Sequence, residues 1–262
     1  MSLGSFPSSA MSTTTTYRCG VIFILIAMVV GAKAQVVVDN SFGNAGALVG
    51  PNFKIPDSLG KTVGDNLFHS FSELSLQTGQ SATFTGPATI QNILGRVTGS
   101  NVSEIDGLIR SEIADANLYL LNPNGFLFGE NANVDVDGAF TISSRDRINL
   151  GNDGVFLARQ PNNSLLTASP PQAFGFLGSN PAGNISFDGS RLVTGGAVHV
   201  VGGVVTLDNA RLVSESITGN SGDIIVESDG VTIRQGQLRT ESTAGNAGGV
   251  IISSKKPVLI EN

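Results

Sequence analysis

The carboxy-terminal third repeats itself, and that repeat constrains the fold more than any other feature of the 262-residue chain. ISFDGSRLVTGG begins at Ile185, VTLDNARLVSES at Val205, VTIRQGQLRTES at Val231 and VLIEN at Val258, so successive starts step by 20, 26 and 27. GNSGDIIVES at Gly219 and GNAGGVIISS at Gly245 repeat again at 26. Units of this length, built from short Val/Ile strands and Gly/Asn turns, cannot bury an apolar face alone. They stack so that neighbouring coils share one core, which is a β-solenoid. Val and Ile at matching positions are expected to form inward ladders, with Asn and Gly at left-handed corners. NVDVDGAFTISS from Asn133 fits the same template loosely, so the solenoid is expected to begin before the clear repeat.

Between Ala116 and Ser144 the sequence reads as short strands joined by tight turns, with Asn122-Pro123-Asn124-Gly125 at the hinge. Proline at the second turn position holds φ in the range that the turn needs. Asn122 can bond forward through its side chain, Asn124 tolerates unusual dihedrals, and Gly125 suits the turn exit. Leu118–Leu121 before it and Phe126–Phe128 after it predict a turn between fully buried strands.

These residues carry a resemblance. NPNG (Asn122–Gly125) is followed by an A-x-x-D-x-x-G-x-F-x-x-S run from Ala132. Before it come DNSFG (Asp39–Gly43), NLFHSF (Asn66–Phe71) and NILGRVTG (Asn92–Gly99), and after it PPQAFGFLGSNPAGNISFDGS (Pro170–Ser190). In this order they resemble the amino-terminal secretion domain of filamentous haemagglutinin-type exoproteins, the passengers of bacterial two-partner secretion. The resemblance covers most of the chain after residue 35. It implies an all-β, right-handed parallel β-helix with amino-terminal capping strands and extra-helical hairpins. It also implies export through the Sec translocon to the periplasm of a Gram-negative-type bacterium. There an outer-membrane two-partner transporter with POTRA domains would recognise the chain, and the passenger would fold outside the cell. A host or surface glycan or protein receptor would be a further partner of such an adhesin. Asn122, Pro123, Asn124 and Gly125 match the family's secretion motif, with Phe126 where Ile is more usual. A second family motif, NPNL, is missing between Phe71 and Val97.

The amino terminus fits that route. Val21–Val30 is an uninterrupted apolar run behind Arg18, and Ala32-Lys33-Ala34 supplies a small-x-small cleavage pattern before Gln35. Only a short uncharged stretch separates Arg18 from Lys33, well under the roughly 20 residues that a spanning helix needs. A cleaved leader over residues 1–34 is therefore expected over a membrane anchor, with Met11 as an alternative start. Residues 35–180 would form the secretion domain, and 181–262 continuing solenoid repeats. No cap follows the last repeat, so a fragment of a longer filamentous protein, or a truncated one, is expected.

Composition narrows function further. The only cysteine, Cys19, lies in the leader, so the mature chain offers neither disulfide nor thiolate ligand. Net charge is −6, and loss of Arg18 and Lys33 would make it more negative, which disfavours nucleic acid as a partner. His69 and His199 are too far apart in sequence to read as a metal pair, and His69 is expected to be a structural or a surface histidine. The segment Ser103–Ile113 has apolar residues at helical spacing behind a Ser103 cap, but Gly107 interrupts it and the resemblance implies strand. Asp135, Asp137, Asp188, Asp208, Asp223 and Asp229 could form the paired carboxylates of a β-helical carbohydrate lyase or hydrolase. They read instead as solvated turn residues without a basic partner. No nucleophile elbow, phosphate loop or zinc spacing is present. The expectation is a non-enzymatic secretion domain without a cofactor. A β-helical carbohydrate-active enzyme and the export domain of a contact-dependent toxin remain as alternatives.

Overall fold

Runs of a few Val, Ile, Leu and Phe residues punctuated by Gly, Asn and Pro can form only short strands, and the chain uses them as rungs. A computed structural model of the chain describes Met1 and residues 36–43, 45–175 and 181–261. The leader with its Ala34–Gln35 junction lies outside the described residues. From Val36 onward the described elements are 24 strands and three single-turn 3-10 helices.

The rungs stack in parallel on three faces. On the first, Asn66–Leu74, Asn92–Val97, Asn117–Leu121 and Phe140–Ser143 follow one another. The opening parts of Val198–Asp208 and Ile224–Arg234 continue it, and Val250–Ser254 ends it. The second face carries Ser103–Ile105, Phe126–Phe128, Ile185–Asp188, the closing parts of the two long strands, and Leu259–Glu261. The third divides into two sheets. One holds Asn52–Pro56, Ser81–Thr85, Leu108–Ser111 and Asn133–Asp135; the other holds Arg191–Thr194, Arg211–Ser216 and Gln237–Ser242. The expected β-solenoid is what forms, and it begins well before the visible repeat. Ser103–Ile113 contributes two strands and no helix.

Inward residues form one apolar column running from Val36 to Ile233. Phe126, Phe128 and Phe187 stack along it, with ring centroids 6.0 and 5.0 Å apart. His69 sits in the same column, 5.5 Å from the Phe84 ring and 6.1 Å from Phe71. Burial lowers its pKa to about 4, so it is a neutral core residue, the structural one of the two expected alternatives and not the surface one.

The amino-terminal end is covered by antiparallel strands. Val36–Val38 pairs with Gly46–Ala47 and with Asn66–Leu74, and Lys61–Val63 pairs with Asn66–Leu74. Between Ser143 and Ile185 the chain leaves the stack and forms the antiparallel sheet Arg147–Leu150, Gly154–Leu157 and Pro171–Gly175. That sheet lies over the outer side of the first face. Its Ile148, Leu150 and Phe156 bury the outward Phe68, Leu94 and Leu121. A second, smaller core results, and it explains why Asn92–Val97 is buried on both sides.

Two expectations need correcting. The equivalent corners after successive rungs are left-handed at Gly189 (φ 65°), Asn209 (φ 47°) and Gln235 (φ 48°). Glutamine therefore takes a place expected of Asn or Gly, because the ladders on both sides impose the turn. The acids are also not all solvated turn residues. Asp135 lies in a strand and pairs with Arg110 at 2.7 Å, and Asp229 lies within Ile224–Arg234 and pairs with Lys255 at 2.9 Å. In-register stacking, invisible in linear spacing, brings these partners together.

Candidate functional site

The four residues of the NPNG motif form the corner between the first and second faces. The Gly125 N–H donates to the Asn122 carbonyl at 2.9 Å, and the Asn124 N–H donates to Asn122 Oδ1 at 3.0 Å. This is the forward side-chain bond expected of Asn122. Its amide reaches the preceding coil as well, with Nδ2 donating to the Asn101 carbonyl (3.0 Å) and to Ser103 Oγ (2.9 Å). Asn124 Nδ2 donates to the Gly99 carbonyl at 2.8 Å. Toward the next coil, the Asn122 N–H donates to Ser143 and the Phe126 N–H to Asn184, while the Pro123 carbonyl accepts from Gly183. The motif is thus a rivet between three consecutive coils.

Two details differ from the sequence reading. Gly125, at φ 104°, holds the left-handed position, and Asn124 does not. A methyl group on Gly125 would collide with the Asn184 carbonyl, because the following coil packs directly against it. The flanking strands are not both fully buried either. Leu127 points outward and is 43% exposed, since Phe126–Phe128 lies on a face that the extra-helical sheet does not cover.

Asn122 is 0% exposed, Pro123 is buried and Asn124 is half-buried. In the folded domain, therefore, the motif has little side chain left to offer a partner. What the corner can do chemically is hold geometry.

A second set of residues performs related work and was missed in the sequence. Asn92 Nδ2 donates to Asn66 Oδ1 (2.9 Å), Asn117 Nδ2 to Asn92 Oδ1 (3.1 Å), and the Ala139 N–H to Asn117 Oδ1 (2.9 Å). This asparagine ladder runs through four coils, and Asn66 Nδ2 ties it to Thr167 and Ser169 of the extra-helical segment.

Arg96 is the centre of the other tie. Only 1% exposed, it donates through Nε to Ser70 Oγ (2.7 Å) and through Nη1 to the Leu157 carbonyl (2.6 Å) and Ser164 Oγ (2.8 Å). Its guanidinium lies 4.7 Å from the Phe156 ring centroid and 5.6 Å from Phe42. Burial lowers its pKa to about 10, opposed by the charge of Asp39, so it stays ionised at neutral pH. Burial works to raise the Asp39 carboxyl. Hydrogen bonds from Ser70, Thr98 and Ser41 outweigh that and hold it below its ordinary value. Arg96 thereby joins the amino-terminal cap, the first face and the extra-helical sheet. The available signal was a lone arginine among the apolar residues that follow Asn92 in NILGRV, with Asp39 in DNSFG.

Among the described residues no group of three or more His, Cys, Asp or Glu is placed to hold a metal ion. A family model described as the TPS secretion domain matches residues 34–260. No curated protein matches the chain.

Proposed function

The chain belongs to the TPS secretion domain family, and on that premise we propose that it is the export module of a large adhesin- or haemagglutinin-like exoprotein. Membership implies a secreted exoprotein that crosses the outer membrane with the help of a two-partner transporter. In this reading residues 1–34 are removed after Sec export, with cleavage between Ala34 and Gln35. Residues 35–180 carry the transport signal, the POTRA domains of the transporter receive it, and 181–262 continue the coils. The family match over nearly the whole described solenoid carries the reading.

The burial of the NPNG corner sharpens how the signal would work. Asn122 is enclosed and its amide already satisfied. A transporter that reads NPNG therefore reads it in the unfolded or folding chain, before the corner closes. Closure then removes the signal and locks three coils together, giving the edge on which further coils add. Outward release and folding become one process, since each added rung draws the chain forward.

The test is release into the medium on co-expression with a matching outer-membrane transporter. Wild type is compared with Asn122→Ala plus Asn124→Ala, alongside melting of the purified domains. The reading expects transporter-dependent release that the double substitution abolishes. Release without the transporter would overturn it. Loss of release with a proportionate loss of folding would reduce the motif to a structural rivet.

A further inference from the structure

Arg96 is a buried cation with no anion in contact. It joins none of the ion pairs among the described residues. Asp39 acts on it through charge, but the Asp39 oxygens are already taken. Oδ1 accepts from the Ser41 N–H, and Oδ2 accepts from the hydroxyls of Ser70 and Thr98. The guanidinium is met by neutral groups instead, through Nε and Nη1. Nη2 donates no hydrogen bond among the described residues, and it is not one of the unpartnered polar atoms sealed from solvent. A buried charge met only by neutral partners is incompletely compensated, and an anion at its open edge would complete it.

Arg96 lines a cavity of about 620 Å³ where the amino-terminal cap, the first face and the extra-helical segment meet. With the residue 1% exposed and its other nitrogens bonded, Nη2 is the group it can present there. Volumes of this size hold small organic molecules. Lys61 is an exposed lining residue and likewise joins no ion pair among the described residues. None of the described lining residues is Asp or Glu, although the chain carries a net charge of −6. Part of the wall is apolar. The Phe42 ring lies 5.6 Å from the guanidinium, Leu166 is half-buried, and Leu165 is 56% exposed. Two cations, offset in part by Asp39, suit a ligand with a single negative charge.

We propose that this cavity binds a small amphiphilic carboxylate. Its carboxylate accepts charge-assisted hydrogen bonds from Arg96 Nη2 and Lys61 Nζ, and its apolar body rests against Phe42, Leu165 and Leu166. A polyanion fits poorly, because the acidic surface around the cavity repels the rest of it. Bound there, the ligand touches all three elements that Arg96 joins, so it also stabilises the fold. The proposal goes beyond the export reading and uses none of the NPNG residues.

The test is isothermal titration with 4-phenylbutyrate, compared with its neutral amide, 4-phenylbutyramide, and with acetate. The variants are Lys61→Glu and Leu165→Asp, with Lys54→Glu, outside the cavity, as the charge control. Melting curves establish that each variant folds. Arg96 stays in place, because its other bonds hold the structure, and is followed through its side-chain nitrogen NMR signals. The expected result is saturable binding of 4-phenylbutyrate, a raised melting temperature and movement of the Arg96 signals. The amide and acetate should bind at least about tenfold more weakly. Lys61→Glu and Leu165→Asp should each weaken binding about tenfold, with Lys54→Glu unchanged. Absence of saturable binding, equal binding of the amide or of acetate, equal weakening by Lys54→Glu, or Arg96 signals that stay still during binding would each overturn the proposal.

Discussion

The coils before the extra-helical sheet and the coils after it solve the same stacking problem by different means. After it, Val198, Ile224 and Val250 stand in register at a constant step of 26, and continuous backbone ladders hold the rungs. Before it, the registered pairs Asn66–Asn92, Asn92–Asn117 and Leu118–Phe140 advance by 26, 25 and 22. There the ladder is supplemented by buried polar ties: the asparagine ladder, the Arg96 hub and the NPNG corner. A regular repeat lets every corner be the same, so side chains at corners can be generic. An irregular one leaves backbone groups at each corner that a specific side chain must meet. Irregularity therefore concentrates stability in a few residues.

Single substitutions should expose that contrast. Arg96→Ala leaves the carbonyl of Leu157 and the hydroxyls of Ser70 and Ser164 short of a donor, and deprives Asp39 of its cation. A loss of about 3–5 kcal/mol is expected in denaturant unfolding. If Arg96→Ala melts like wild type, the division between the two regions fails.

Gly125→Ala should rank next, at about 2–3 kcal/mol. It forces a side chain into a left-handed position that the Asn184 carbonyl already crowds. Thermal unfolding would measure it, and selective loss of amide protection around 99–125 and 182–185 in hydrogen exchange would place it.

The buried imidazole gives a pH dependence of similar direction. The folded-state pKa of His69, about 4, lies below the ordinary 6.5, so the unfolded chain binds the proton first. Stability is full above pH 6.5 and falls as pH drops toward 4, by about 2 kcal/mol between pH 7.5 and 5. His199, lowered by burial against the opposing pull of Glu227, contributes with the same sign. His69→Phe, which keeps the ring between Phe71 and Phe84, should flatten most of the slope; an unchanged slope would assign it to His199 in the regular coils.

The smallest effects belong to the regular region. Gln235→Gly relieves a left-handed glutamine and should stabilise by about 0.5 kcal/mol. Arg234→Ala breaks an ion pair with Glu261 whose side chains are 46% and 49% exposed, and should change the melt by less than about 1 kcal/mol. Effects at these two sites comparable to Arg96→Ala would erase the contrast.

The sequence by itself determined the architecture. Repeated VTL, VTI and ISF triplets at steps of 20 and 26 leave little choice but stacked rungs, and NPNG reads as a turn from its own residue types. Both are local facts, expressed within one coil. Tertiary structure alone decided what those residues face. Asn122 and Asn124 bond to Gly99, Asn101 and Ser103 one coil away, and Arg96 reaches far along the chain to Leu157. It also decided that Gln235 would adopt a corner meant for glycine, that Asp135 would meet Arg110, and that the third face would divide into two sheets between Asn133–Asp135 and Arg191–Thr194. A coil's sequence specifies its own strands and turns. The register against its neighbours, which places side chains from distant segments within bonding distance, exists only once the coils are stacked.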